Sequence, residues 1–184
     1  MFRCGIAYPR CRWIMPLLLF FALIFDLIAI AAQSGWVEDE DAETHYASMW
    51  DECQGRNDNW ECRSLMKYPW AQAVAALMII GFILLVVAFI VSIYAMVNVS
   101  PSAMSATSGL LLAVAVIQII ALIIYPIKFN EHIFEGQYYY TWAYGFGWGA
   151  TILCLGCSLL FCCLPHYEDE LNGAIKVNYL YTSS

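Results

Sequence analysis

Charged side chains are scarce in this chain. They make up 12% of its 184 residues, which is roughly half the share found in a soluble globular domain. The eight lysines and arginines form no basic patch with interleaved aromatic residues, so a surface for binding DNA or RNA is excluded. The scarcity of charge predicts a membrane protein and leaves no room for a separate soluble domain.

Histidines are also few, and the chain lacks any set of residues typical of catalysis. His45, His132 and His166 are scattered, with no nucleophile and base at a diagnostic spacing. His45 alone lies near the pair Cys53 and Cys62, too few ligands for a zinc site. We therefore expect no enzymatic activity, no bound metal or cofactor, and no small-molecule substrate.

Long apolar runs are what the chain has instead. When aromatic residues, alanine and cysteine are counted with the aliphatic residues and methionine, 62% of the chain is hydrophobic. Its mean hydropathy is +0.65. About 20 helical residues cross the hydrocarbon core of a bilayer, and four runs reach that length. The sequence predicts one all-α membrane domain, an antiparallel four-helix transmembrane bundle with spans at 13–32, 70–97, 109–127 and 142–164.

Two features orient the predicted spans. Three arginines precede the first span, and such a basic flank stays in the cytoplasm. A paired Cys53 and Cys62 belongs in an oxidising compartment. We expect a plasma-membrane protein whose segments 33–69 and 128–141 are extracellular loops and whose segments 1–12, 98–108 and 165–184 are cytoplasmic. The first run could instead be a cleaved signal peptide, but its length of 20 residues favours a retained span.

The first predicted loop is acidic and contains a cysteine pair. Eight residues separate Cys53 from Cys62, and a disulfide there would add about 2–3 kcal/mol of stability; two free thiols are the alternative. Nine acids and three bases lie between Gln33 and Pro69, most of the net charge of −7. The run Glu38–Glu43 is a solvated segment or a weak calcium site. Such a loop favours cations or basic partner surfaces.

Asp26 is the only ionisable residue inside a predicted span. A carboxylate within the bilayer is costly, by about 2.5 kcal/mol or more, so it must face the bundle, be protonated or reach water. We expect it to bond to a polar group such as Gln118 or Tyr94; an ion or proton site is the alternative.

The last span carries two further patterns. Gly145 and Gly149 are spaced for close helix contact, either inside the bundle or in a dimer. Cys162 and Cys163 lie at the predicted membrane boundary, where palmitoylation occurs, or they are simply small buried residues.

The first loop resembles the claudin and peripheral myelin protein superfamily. Trp36, Trp50, Cys53 and Cys62 match the signature of that superfamily, with Met49 in place of the usual leucine before the second tryptophan. The resemblance implies a small extracellular antiparallel sheet formed by the first loop, closed by the cysteine pair, with both tryptophans packed at its base.

A narrower resemblance points to one member of that superfamily. It rests on Phe25-Asp26, Tyr125-Pro126 and the aromatic and glycine-rich segment 142–148. It implies a non-enzymatic tetraspan of cell junctions that supports desmosome-linked epithelial adhesion and promotes apoptosis. The expected partners are membrane lipids, junctional membrane proteins of desmosomal complexes and further copies of the chain. The alternatives are a claudin-like paracellular cation pore and an accessory subunit of another membrane protein.

Overall fold

The computed structural model describes residues 13–32, 35–39, 45–56, 59–98, 100–132 and 138–182. These residues form four α-helices, one short 3₁₀ helix and five strands. In chain order the elements are α1 Ile14–Ala31, β1 Val37–Asp39, β2 His45–Ala47, β3 Asp51–Arg56, β4 Asn59–Ser64, the 3₁₀ helix Leu65–Lys67, α2 Pro69–Asn98, α3 Pro101–His132, β5 Tyr138–Tyr140 and α4 Trp142–Thr182.

All four α-helices are long and apolar enough to cross a membrane, which confirms the predicted four-span architecture. Each helix buries one face at intervals of three and four residues, as α1 does with Leu19, Ala22, Asp26 and Ala29. The helix pairs in closest contact are α2 with α3, α3 with α4, and α1 with α4. Many large apolar side chains point outward, where lipid would solvate them.

The five strands form one antiparallel sheet in the order β4-β3-β2-β1-β5, at the end of the bundle where α1 finishes and α2 begins. Successive side chains of a strand point to opposite faces. Val37 and Ala47 face the helices and are buried with residues of α2 and α3, whereas the neighbouring Tyr46 and Cys53 pair on the opposite face.

The sheet differs from the expectation in one respect. Four strands come from the first loop, as predicted, but β5 belongs to the segment between α3 and α4. It pairs with β1 through Val37 and Tyr140. Both predicted extracellular loops therefore contribute to one sheet.

Helix boundaries also differ from the sequence reading. Segment 98–108 is not a loop, because α3 already begins at Pro101; proline suits the first helical turn, where its missing N–H needs no partner. Helix α3 also continues to His132, which shortens the predicted loop at 128–141. Helix α4 extends to Thr182 rather than ending near Pro165, since an internal proline removes one hydrogen bond without obligatorily stopping a helix.

Candidate functional site

The cysteine pair closes a hairpin. Cys53 in β3 and Cys62 in β4 lie directly opposite each other, and their sulfur atoms are bonded at 2.02 Å. The bond ties the two strands farthest from β5. The predicted disulfide is therefore present in the structure.

The two signature tryptophans attach the sheet to the end of α1. The last carbonyl groups of a helix have no partner within it. The indole Nε1 of Trp36 donates to the carbonyl oxygen of Ala29, and that of Trp50 donates to Ile30, both at 2.8 Å. The tryptophans thus cap the carboxyl end of the first helix as well as packing beneath the sheet.

Tyr125 provides a second attachment, from α3. Its hydroxyl donates to the carbonyl oxygen of Ser48 at 2.9 Å, and its ring meets that of Trp36 edge-on at 4.8 Å between centroids. The side chain is fully buried. This role was not predicted from the sequence, where its only signal is a tyrosine next to a proline in an apolar run.

Gly35 lets the chain turn from α1 into the sheet. Its φ is +88°, and a Cβ built there would lie 2.8 Å from the carbonyl oxygen of Ala47. The next residue, Trp36, donates from its backbone N–H to that same oxygen at 2.7 Å and accepts from the backbone N–H of Thr141 at 3.0 Å. Only glycine combines this conformation with such a close approach.

A tyrosine of α4 compensates for the proline inside α3. Pro126 has no N–H, so the carbonyl oxygen of Leu122, four residues earlier, loses its normal helical partner. The hydroxyl of Tyr144 donates to that oxygen at 2.8 Å. A membrane interior offers no water for this purpose, so the tyrosine satisfies a group that would otherwise be orphaned.

Asp26 lies in the centre of the bundle and is 0% exposed. The amide Nε2 of Gln118 donates to its Oδ2 at 2.6 Å, and Thr151 lies 3.3 Å from the amide oxygen of Gln118. These contacts join α1, α3 and α4. The structure brings Asp26 to one of the two partners considered, while the other, Tyr94, is 61% exposed. Among the described residues, Oδ1 of Asp26 has no hydrogen-bond partner.

Close helix contact in α4 occurs at Gly149, one of the two glycines expected, and at Gly147 instead of Gly145. A Cβ on Gly147 would lie 3.0 Å from Leu122, and one on Gly149 would lie 3.2 Å from Phe25. Gly145 is exposed and would meet nothing within 4 Å. Gly147, three and four residues from the buried Tyr144 and Thr151, lies on the packed face of the helix, whereas Gly145 is rotated off it.

The remaining cysteines of α4 divide by exposure. Cys154 and Cys157 are buried in the bundle, and Cys162 and Cys163 are exposed. Of the acid run, Glu38 and Asp39 belong to β1, whereas residues 40–44 lie outside the described residues. Within the described ranges, no group of three or more His, Cys, Asp or Glu residues could hold a metal ion.

Four spans, a disulfide-closed sheet and a tryptophan pair that caps the first helix define a class of small tetraspan proteins. The chain belongs to the PMP-22/EMP/MP20/Claudin family, whose model matches residues 13–161. It is therefore a multi-pass membrane protein, and the resemblance seen in the first loop is confirmed.

Within this family, the chain is similar to a Danio rerio protein named "p53 apoptosis effector related to PMP-22". The two are 68% identical over 184 residues, which is the whole of both chains. This relative is the family member that the narrower sequence resemblance indicated, so the narrower resemblance is confirmed as well.

Proposed function

We propose that the chain is a non-enzymatic plasma-membrane tetraspan that promotes apoptosis and supports epithelial adhesion at desmosomes. The observation that carries the apoptotic part is its similarity, over its full length, to a relative named as an apoptosis effector. The alignment covers the whole chain and therefore includes the sheet, through which contacts with partners would be made.

The geometry of the sheet supports a role in contact rather than catalysis. Trp36 and Trp50 bond to α1, and Tyr125 bonds to the sheet from α3. The sheet is thus held against at least two helices by buried or half-buried hydrogen bonds. A surface held in this way loses little conformational entropy when it meets a partner, and the expected partners are junctional membrane proteins.

The proposed orientation puts the sheet outside the cell and both termini in the cytoplasm. Its support is the disulfide between Cys53 and Cys62, because such bonds persist in oxidising compartments. The test is an epitope inserted between Asn57 and Asp58, in the sequence that connects β3 to β4. An antibody should stain it on intact cells. Staining only after permeabilisation would reverse the orientation.

The functional test uses epithelial cells that lack the endogenous protein. Re-expression of the wild-type chain should raise caspase-3 activity after DNA damage and reduce the number of fragments when a detached cell sheet is agitated. A Cys53→Ser/Cys62→Ser variant at the same surface level should lose the cohesion effect. Gly109→Ala is the control, since a Cβ built there would meet no described atom within 4 Å apart from its own stretch of helix. No change in either readout at wild-type surface levels would refute the proposal.

Palmitoylation of Cys162 and Cys163 is a further part of the proposed function. Both thiols are exposed and end the apolar segment of α4, where an acyl chain could enter the bilayer. Hydroxylamine-dependent acyl exchange should detect acylation in the wild type. The signal should disappear in Cys162→Ser/Cys163→Ser and persist in Cys154→Ser, whose thiol is buried. Unchanged exchange in the double variant would exclude this modification.

A further inference from the structure

The two faces of the sheet differ in charge. On the face that carries Ala47, the β3–β4 hairpin has charges of both signs: Glu52 lies opposite Arg63 and bonds to His45 at 2.8 Å, and Glu61 lies opposite the neutral Gln54. The opposite face, here named the outer face, is the side of Tyr46, Cys53 and Cys62. By strand alternation its charged members in the described strands are Glu38 and Asp51, both acidic.

The outer face contains a cleft of about 420 Å³ next to the disulfide. Its lining combines two aromatic rings, a hydroxyl, a carboxylate and the two bonded cysteines, namely Tyr46, Ser48, Trp50, Asp51, Cys53 and Cys62. No lysine or arginine is among the lining residues within the part of the chain that the structure describes. An open cleft of this composition is suited to an organic cation, because aromatic faces and a carboxylate both attract positive charge.

The polar groups of the cleft are held in position. Trp50 is half-buried and is fixed by its bond to Ile30. The hydroxyl of Ser48 donates to the backbone carbonyl of Asp51 and accepts from the backbone N–H of the same residue. Both bonds involve backbone atoms of Asp51. Its exposed side-chain carboxylate lines the cleft and can contact a ligand.

We propose that this cleft receives an arginine or lysine side chain from a basic segment of a partner protein. Three observations converge on this occupant: the aromatic and acidic lining, the acidity of the outer face, and the excess of nine acids over three bases between Gln33 and Pro69. Tyr46 and Cys62 lie on the strand face opposite to Val37 and Ala47, which pack on the helices, so this side of the cleft faces away from the bundle and favours a protein over a lipid headgroup. The inference rests on the proposed function, in which the sheet is the contact surface.

The test measures peptide binding to the full chain in nanodiscs of zwitterionic lipid. The probe is an acetylated, amidated Gly-Gly-Arg-Gly-Gly peptide, compared with the same peptide carrying neutral citrulline. The arginine peptide should bind about tenfold more tightly, the effect of about 1.4 kcal/mol expected from combined cation–π and ionic contact. Asp51→Asn should weaken its binding about fivefold to tenfold, and Tyr46→Leu by a similar factor.

Glu61→Gln is the matched control. It removes the same charge from the same hairpin, but Glu61 pairs with Gln54 on the other face and does not line the cleft. Binding of the arginine peptide to this variant should equal that of the wild type. Peptide mapping of the disulfide in each variant checks that the hairpin is intact.

Three results would overturn the proposal. Equal loss in Asp51→Asn and Glu61→Gln would mean general attraction to an acidic loop, and equal binding of both peptides would mean no cation site. If binding changes with the charge of the nanodisc lipid but not with the Asp51→Asn substitution, the peptide is bound to the membrane surface. Because this assay contains no cells, its failure is separate from a failure of the cohesion test.

Discussion

Replacing Tyr144 with phenylalanine removes one hydroxyl group, and the cost of that change should depend on a proline in a neighbouring helix. The hydroxyl donates to the carbonyl oxygen of Leu122 at 2.8 Å, and Pro126 is the residue whose missing N–H leaves that oxygen unpaired. In a Pro126→Ala background the alanine N–H can bond to the same oxygen, as in an ordinary α-helix. The two substitutions should therefore be coupled.

The magnitude follows from burial. Tyr144 is 8% exposed, and a buried carbonyl left without a donor costs about 1–3 kcal/mol. Hydrogen bonds between membrane helices contribute about 0.6 kcal/mol on average and at most about 1.7. We expect Tyr144→Phe to lower the free energy of unfolding by about 1.5 kcal/mol in the wild-type background and by about 0.5 in Pro126→Ala, a coupling of about 1 kcal/mol.

Reversible unfolding in mixed micelles, with the disulfide intact, measures all four members of this cycle. Tyr94→Phe serves as the control, because Tyr94 is 61% exposed and loses the same hydroxyl from the surface of α2. It should change stability by less than about 0.3 kcal/mol. An equal cost of Tyr144→Phe in both backgrounds would show that the tyrosine does not compensate for the proline.

Three further predictions concern the sheet junction and the bundle core. Gly35→Ala should cost at least about 2 kcal/mol and reduce surface delivery, since a Cβ there meets backbone and φ is positive; wild-type delivery, such as Gly109→Ala should show, would contradict it. Asp26→Asn should keep assembly, whereas Asp26→Leu should lose about 1–3 kcal/mol by leaving the Gln118 amide unpaired, and equal surface levels of the two would argue against a polar partner. Trp50→Phe should make the sheet junction more susceptible to limited proteolysis, because the bond to α1 is lost; an unchanged cleavage rate would show that the indole N–H contributes nothing.

Several features of the site were predictable because they depend on local chemistry. The spacing of Cys53 and Cys62 predicted a bridge, and the two residues lie opposite each other in a hairpin. Placing a carboxylate in the bilayer has a high free-energy cost, which predicted that Asp26 faces the interior of the bundle. Asp26 is buried there. The predicted loop at 98–108 was wrong because proline occurs both in turns and at the first position of a helix, and Pro101 begins α3.

Other features depend on how the helices are rotated and which loops meet. Gly145 and Gly149 were paired by spacing, yet the close contacts are at Gly147 and Gly149, because only the rotation of α4 decides which glycines face a neighbour. Strand β5 could not be assigned, since three tyrosines in a loop become a strand only when β1 lies beside them.

Composition and the four apolar runs are enough to define the class of this protein, because a chain so poor in charge can satisfy its backbone in lipid as helices. The tertiary structure alone decided which polar groups pair across the bundle, such as Tyr144 with Leu122 and Gln118 with Asp26. The physical reason is that hydropathy is a property of each segment, whereas a hydrogen bond in a dry interior requires two atoms within about 3 Å, and that distance exists only once the helices are packed.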